Sequence, residues 1–364
     1  MPATRLNPDL PTTGLPILDL SEFSSGDSAQ RAAFVSRLRD TAYGVGFFYL
    51  RGFGASPAQT QAVLQASRDF FALSIEQKQA LHMARSPHFR GYTAAGDEIT
   101  RGERDWREQL DIGAERAPLV QGPDSPAWSR MQGPNQWPQA LPRLKPLLLD
   151  WQDSLTDAAR QLLRALALAL GQPQERFEAA FAVAPVQHLK LIHYPGRAEG
   201  ESTQGVGAHK DSGCLTLLLQ DTQPGLQVWE RDAKDADAGR WLDAPPIAGT
   251  VVINLGEVLE MVSNGFLRAN IHRVVSPPAN QDRLSVAFFI SPRLDAELPE
   301  LVLPAELAQQ ARGVDRDPKN PLIAHTGRNL LKGRLRSHPE VAQRFYADVL
   351  EAEGLKPGAV ASAY

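Results

Sequence analysis

The chain has 364 residues, with 38 Lys and Arg against 42 Asp and Glu, a formal net charge of -4, and 22% charged residues. So mild a charge argues against a nucleic-acid wrapper or a protein held on an anionic membrane, and it points to a small-molecule substrate with no nucleic-acid and no membrane partner. The sole cysteine, Cys214, cannot form an internal disulfide, and MPATRLNPDLPTTG at the start lacks the apolar core of a signal peptide, so a cytoplasmic location is expected.

In chain order, apolar residues recur at helical spacing from Ala29 to Tyr43 and from Pro57 to Phe71, where Ser56 before a proline predicts a cap and first turn. Between them GVGFFYLRGF predicts a strand. Residues 74–138 are rich in turns and charge and are expected to form a loop region able to cover a site. The charged run TRGERDWREQLDIG within it is expected to be an exposed face, with Trp106 as an anchor. A helical pattern follows from about Leu141 to Leu170, with Gly171 as its stop. Its most apolar stretch, LLRALALALG, contains Arg164 and is too short for a membrane span, so it predicts a buried helix.

After that helix, VQHLKLIHYP, CLTLLLQD, GLQVWE, GTVVINLG, RANIHRVVS and RLSVAFFIS predict short strands, several separated by Gly- or Pro-containing turns. Such a series predicts an α+β chain with a mainly β core: a double-stranded β-helix (jelly roll, cupin-like) braced by helices. The tail from Ala296 to Tyr364 predicts a loop-rich part and a last helix near Pro339 to Glu353, with no internal repeat. The chain is therefore expected to be one unit, 1–364. An N-terminal helical and strand region with loops covers 1–140, the long helix and jelly-roll core 141–295, and a C-terminal loop and helix 296–364.

Chemistry concentrates in the strand-rich part. In GVGAHKDSG, His209 and Asp211 are two residues apart, so on a strand end they project from one face while Lys210 points away. A third candidate ligand, His272, lies 61 residues after Asp211 among the strand formers Ile271, Val274 and Val275. Two imidazoles and a carboxylate on one face of an octahedral ion leave three positions open, the arrangement of non-haem Fe(II) oxygenases. In DRLSVAFFIS, Arg283, Ser285, Ala287 and Phe289 alternate with Leu284, Val286, Phe288 and Ile290, so the first set is expected inside a barrel and the second outside. An arginine on such a strand needs a carboxylate partner, and guanidinium beside hydroxyl suits bidentate recognition of a bound keto acid. On the strand before Pro195, Lys190 and Ile192 share the parity of Tyr194, which makes Lys190 a candidate for the substrate pocket.

At this point the chain resembles the isopenicillin N synthase-like branch of the Fe(II)/2-oxoglutarate-dependent dioxygenase superfamily. LPILDLSEF, GFFYLRGFG and FFALSIEQK are similar to that family's amino-terminal region. HYPGR, HKDSG, DTQPGLQVW, VVINLGEVLEMVSNG, HRVVSP and RLSVAFF follow in the family's order. The resemblance implies Fe(II) on His209, Asp211 and His272, with 2-oxoglutarate as co-substrate on Arg283 and Ser285, assisted by Tyr194. It also implies O2 as oxidant and an oxidation, most commonly hydroxylation, of a small organic molecule with release of succinate and CO2. Arg90 and Tyr92 of HFRGY, with Phe289 and Arg293, become substrate-pocket candidates by position in the family. HKDSG and HYP depart from the family's commoner Thr- and Asn-Tyr-Tyr-Pro-containing forms without removing a ligand, so no relative's substrate carries over.

Each assignment stands beside a plainer one. Arg90 and Arg293 also suit a solvated loop or barrel end, Tyr194 simple packing, and Arg283 a structural ion pair. His82, His88, His188, His193, His325 and His338 are expected to be surface or structural, and Cys214 a small buried residue. Alternatives to the main reading are an iron oxidase of the same family that does not consume 2-oxoglutarate, a catalytically silent metal-binding barrel, and a nucleic-acid demethylase, which would need a basic groove. Oligomeric state is not legible in the sequence.

Overall fold

The computed structural model describes residues 14–100, 102–199, 201–231, 238–315 and 321–352. Readings that concern the first 13 residues, or the end of the last helix at Glu353, lie outside them. Among the described residues, fourteen strands are β1 Ile17–Asp19, β2 Phe47–Arg51, β3 Gly91–Thr93, β4 Ile99–Thr100, β5 Glu103–Arg104, β6 Glu108–Gly113, β7 Val186–Tyr194, β8 Gln204–His209, β9 Leu215–Gln220, β10 Leu226–Arg231, β11 Gly239–Asp243, β12 Val251–Leu255, β13 His272–Val275 and β14 Arg283–Ser291. They form an eight-stranded sheet in the order β1-β2-β12-β9-β14-β7-β6-β3, a four-stranded sheet β11-β10-β13-β8 and the small ribbon β4-β5. Among these described strands, β1 and β2 are the one pair that runs parallel. This is an α+β jelly roll with one sheet lying over the other, as expected.

Strand alternation decides which residues meet. Ile192, Tyr194, Val252 and Ala287 of the large sheet pack with Val206, Leu226, Val228 and Val274 of the small one. On the opposite face Leu189, Leu191, Leu217, Val286 and Phe288 share a core with Leu148, Trp151, Leu155 and Leu162 of the Leu144–Ala169 helix. The even-numbered residues of β14 thus bind the sheet to its bracing helix, and the odd-numbered ones face inward. The helix ends before Gly171, whose φ of +67° is the left-handed turn a glycine adopts freely, and a Cβ there would lie 2.5 Å from Pro304. Earlier helices span Ser28–Tyr43 and Pro57–Phe71, the latter capped by Ser56 Oγ, which accepts from the Gln59 amide at 3.1 Å.

Three expectations about the fold need correction. The segment 74–138 is not merely a loop region: it supplies β3 and β6 to the large sheet and a short helix, Ile75–Gln79. The charged run at its centre is an exposed face only in its first half, where Glu103 and Arg104 are exposed, because all six residues of β6 are buried. Leu110 and Ile112 join the helix core, and Glu108 on the same side is surrounded by donors. It pairs with Lys78 Nζ at 2.8 Å, accepts from Tyr92 OH at 2.6 Å and lies 2.7 Å from His193 Nδ1. Burial alone would raise its pKa, yet His193, Lys78 and Tyr92 together hold it at about 2. Replacing Glu108 by glutamine is expected to destabilise the fold by about 3–5 kcal/mol, because Lys78 would keep a buried, unpaired charge. Urea unfolding at neutral pH checks this, and a loss under about 1 kcal/mol would contradict it.

The tail also departs from one last helix. Thr326–Ser337, Pro339–Phe345 and Ala347–Ala352 are three helices, and Leu331, Leu335, Val341 and Tyr346 pack with Met83, Phe89 and Met131 in a separate core. His338 breaks the first from the second, where Pro339 opens the new helix at its first turn. Their effect is to bring Arg334 and His338 over the end of the barrel. Among the described residues, no helix is long and apolar enough to cross a membrane.

Candidate metal centre and adjoining cavity

His209 ends β8 and His272 begins β13, and the two are directly paired across the small sheet. Asp211 follows on the turn after β8. One ligating atom from each of the three lies within 4.8 Å of the others, the only such His, Cys, Asp or Glu group among the described residues. Backbone carbonyls settle which imidazole nitrogen is presented. His209 Nδ1 is 2.8 Å from the Gly207 carbonyl and His272 Nδ1 is 3.4 Å from that of Asn270, so Nε2 of each ring faces Asp211 Oδ1, at 3.5 and 3.8 Å.

Asp211 is held in its turn. Its Oδ2 accepts from Thr216 Oγ1 at 2.5 Å and Asn254 Nδ2 at 2.7 Å, which leaves Oδ1 for the shared side. Although burial favours protonation of Asp211, His272, His209 and Thr216 outweigh it and keep the carboxyl ionised. Burial, then His209, pushes the His272 pKa down to about 4, so its ring is neutral at pH 7. Two imidazoles and a carboxylate are the donor set that suits Fe(II) with open positions, and the triad fits that ion. Replacing Thr216 by valine or Asn254 by leucine is expected to weaken Fe(II) binding roughly 10–100-fold by loosening the carboxylate. Anaerobic Fe(II) titration checks this, and unchanged affinity in both variants would contradict it.

A second feature lies on β14. Arg283 is wholly buried, yet among the described residues its only hydrogen bond is from one terminal nitrogen to Gln220 Oε1 at 2.8 Å. Its Nε and other terminal nitrogen have no partner, nor has the buried Ser285 Oγ. The Tyr194 ring, directly opposite Arg283 in the register, lies 4.9 Å below the guanidinium carbon. Leaving such donors unmet costs about 1–3 kcal/mol each. An acceptor-only group with two oxygens would satisfy them, and the distal carboxylate of 2-oxoglutarate fits that requirement.

Beside the triad opens a cavity of ≈ 510 Å³, whose wall includes His209, Asp211, Ile192, Lys190 and Phe289. Ile192 is the partner of Ser285 in the register, and Lys190 the partner of both Ala287 and Asp111. The polar side is an ion network. Lys190 Nζ lies between Glu98 at 3.6 Å and Asp111 at 3.4 Å, and Arg107 pairs with Glu98 at 2.6 Å and Asp105 at 3.4 Å. His188 Nε2 is 2.8 Å from Asp111 Oδ1 while its Nδ1 accepts from Arg334 at 2.7 Å. Glu98 sits at a pKa of about 2, since Lys190 and Arg107 outweigh the opposing effect of burial.

Burial lowers the His338 pKa to about 4 in this network. Between pH 6.5 and 4 the unfolded chain binds a proton there that the folded chain refuses, so stability is present above pH 6.5 and falls as pH drops through that window. The expected loss from this group is on the order of 3 kcal/mol. Urea unfolding at pH 7.5, 5.5 and 4.5 checks it, with His338→Gln expected to flatten the dependence.

Of the residues singled out in the sequence, the structure brings together His209, Asp211 and His272, and it puts Arg283, Ser285 and Tyr194 on neighbouring inward positions. Lys190, Arg90, Phe289 and Arg293 line the cavity, Arg293 at a rim position where it pairs with Asp295 at 2.7 Å. Tyr92 is not brought there. Its partner in the register is Leu110, so it faces the helix core and packs on Phe70. His88, His188 and His338, expected to be surface or structural, line the cavity instead. The parity that selects Lys190 also selects His188, whereas Glu98, Arg334 and His338 carry no spacing signal linking them to the site. Cys214 is buried, and burial pushes its thiol pKa up, as a packing role requires.

The family model described as 2OG-Fe(II) oxygenase superfamily matches residues 185–292, and that described as non-haem dioxygenase in morphine synthesis N-terminal matches residues 15–140. The chain is 33% identical to the 2-oxoglutarate-dependent dioxygenase frbJ of Dothideomycetidae sp. (strain 11243), over 92% of this chain and 93% of the relative. It is 34% identical to a homoarginine-6-hydroxylase of Glycine max, over 79% and 88% of the two chains. A full-length Neurospora crassa structure in complex with alpha-KG (2-oxoglutarate) and thymine superposes with a TM-score of 0.68 at 26% identity, covering 92% of this chain and 97% of that one.

Proposed function

The chain belongs to the 2OG-Fe(II) oxygenase superfamily and is a 2-oxoglutarate-dependent Fe(II) dioxygenase, and on that premise we propose that His209, Asp211 and His272 hold its iron. Arg283, Ser285 and Tyr194 receive the distal carboxylate of 2-oxoglutarate, and a small organic molecule, hydroxylated in the reaction, occupies the ≈ 510 Å³ cavity. The observation that carries this reading is the pairing of the triad with Arg283 and Ser285, whose buried Nε, second terminal nitrogen and hydroxyl have no acceptor among the described residues.

When bound, iron and 2-oxoglutarate supply an oxidation driven by O2 that releases succinate and CO2. The chain's residues supply position and electrostatics. Arg283 offers charge and two unpartnered nitrogens in a fixed plane, and Ser285 a hydroxyl two residues along the same strand, so the co-substrate is gripped at its non-reacting end. Thr216 and Asn254 fix the Asp211 carboxylate, and the Gly207 and Asn270 carbonyls fix the two rings. Lys190 and Phe289 face the substrate from adjoining inward positions, one polar and one apolar. Thymine and homoarginine, associated with the relatives, are both small molecules, which supports that substrate class without identifying the substrate.

Succinate release with 2-oxoglutarate varied tests the assignment. Ser285→Ala and Tyr194→Phe are each expected to raise KM for 2-oxoglutarate about fivefold, the equivalent of one hydrogen bond near 1 kcal/mol. An unchanged KM in both variants would remove these residues from the co-substrate site.

A further inference from the structure

The cavity holds more positive charge than it uses. Arg90, Arg107, Arg116, Lys190, Arg293 and Arg334 line it, while the carboxylates on its wall apart from the triad's Asp211 are Glu98, Asp105 and Asp295, with Asp111 beneath, and Arg293 and Asp295 pair with each other at 2.7 Å. Arg107 is taken by Glu98 and Asp105, Lys190 by Glu98 and Asp111, and Arg334 by Asp111 at 3.4 Å. Among the described residues, no carboxylate oxygen comes within the 4.0 Å of an ion pair for Arg90 or Arg116. Arg90 donates only to main-chain carbonyls, of Phe89 at 3.3 Å and Met131 at 3.5 Å, and its Nε has no partner. Burial and the neighbouring Arg334 lower the Arg90 pKa to about 10, so it is still charged at neutral pH.

Arg90 is also held there against local preferences. Phe89 before it has a φ of +54°, a conformation that a bulky side chain rarely adopts, and Gly91 after it has a φ of +128°, where an added Cβ would lie 2.2 Å from the Leu81 carbonyl oxygen. Phe89 is anchored by stacking on Tyr346, at 5.3 Å between ring centroids. The guanidinium lies over Gly113 of β6, where a Cβ would come within 2.2 Å of it. A strained turn, a stacked anchor and a glycine floor fix a cation that has no ion-pair partner among the described residues.

We propose that the substrate is an organic anion whose anionic group is received by Arg90, with Arg116 as the second cation. The proposal rests on the reading that the triad and Arg283 form the iron and co-substrate site. The same count predicts discrimination against basic substrates, since the carboxylates facing the cavity already have cationic partners and an added ammonium or guanidinium would meet Arg90 and Arg116. Phe289, Trp128, Met131 and Leu294 on the remaining wall suit an apolar body.

The test uses full-length protein loaded with Mn(II) under saturating 2-oxoglutarate, so that Arg283 is occupied, and a library of matched aryl-alkyl carboxylates, carboxamides and amines sharing each skeleton. Ligand-observed NMR reports binding. The carboxylates are expected to bind at least about tenfold more tightly than their amides and more tightly still than their amines, a difference of about 1.4 kcal/mol. Arg90→Gln is expected to bring carboxylate and amide within about threefold, with Arg90→Lys restoring part of the preference. Equal binding of the three classes in the unaltered protein, or binding of none, overturns the proposal without recourse to any variant. A carboxylate preference that survives in folded Arg90→Gln and Arg116→Gln overturns it too. Failure of the underlying site reading is recognised separately, as the absence of a 2-oxoglutarate-dependent rise in melting temperature in the metal-loaded, unaltered protein.

Discussion

Asp211→Asn is expected to abolish turnover and to remove tight Fe(II) binding with it. Asparagine keeps the shape, and its side-chain oxygen can still accept from Thr216 or Asn254, so folding should be nearly intact. The charge is what disappears. Loosening an outer partner of a metal ligand costs roughly 10–100-fold, so neutralising the one anionic ligand is expected to exceed that range. His272→Ala should behave alike, since it removes the ring that approaches Asp211 Oδ1 from β13 at 3.8 Å. Anaerobic Fe(II) titration and succinate release check both variants together. Retention of more than about a tenth of wild-type succinate release in either would contradict the ligand assignment.

Arg283→Gln is expected to raise the 2-oxoglutarate requirement at least about 30-fold, the equivalent of some 2 kcal/mol for removing one member of a buried charged pair. Metal affinity should change little, because Arg283 reaches Gln220 and not the triad. The variant separates two readings. If the guanidinium were a structural element, stability would fall and the 2-oxoglutarate requirement would stay where it was. If it is the co-substrate anchor, the apo protein tolerates the change, since the replacement relieves two unpartnered buried donors that the apo fold leaves unmet. Thermal melting with and without 2-oxoglutarate distinguishes the cases.

Much of this site was legible because its chemistry follows short periods. His209 and Asp211 two apart, and Arg283, Ser285 and Phe289 on one face of β14, are consequences of strand alternation. The long Leu144–Ala169 helix was legible through its apolar stripe. Other features depend on contacts that no local period encodes. Glu108 looked like surface charge because Lys78 and His193, which make its burial tolerable, lie 30 and 85 residues away. Tyr92 was placed by family position in the pocket, yet its parity with Leu110 turns it toward the helix core. Arg334 and His338 reach the cavity only because the C-terminal helices pack on Phe89 and Met131, a third core that the sequence gives no means of locating. Charge balance in the cavity is likewise a property of several segments at once, and Arg90 stands out only when every carboxylate near it has been assigned.

The most direct test of the central claim is visible spectroscopy of the anaerobic Fe(II) protein titrated with 2-oxoglutarate, with His272→Ala and Arg283→Gln as controls. The account predicts a weak charge-transfer band in the green that saturates in the unaltered protein, fails to form without His272, and needs far more 2-oxoglutarate without Arg283. Iron binding with no such band, or a band whose titration is indifferent to Arg283, would contradict it.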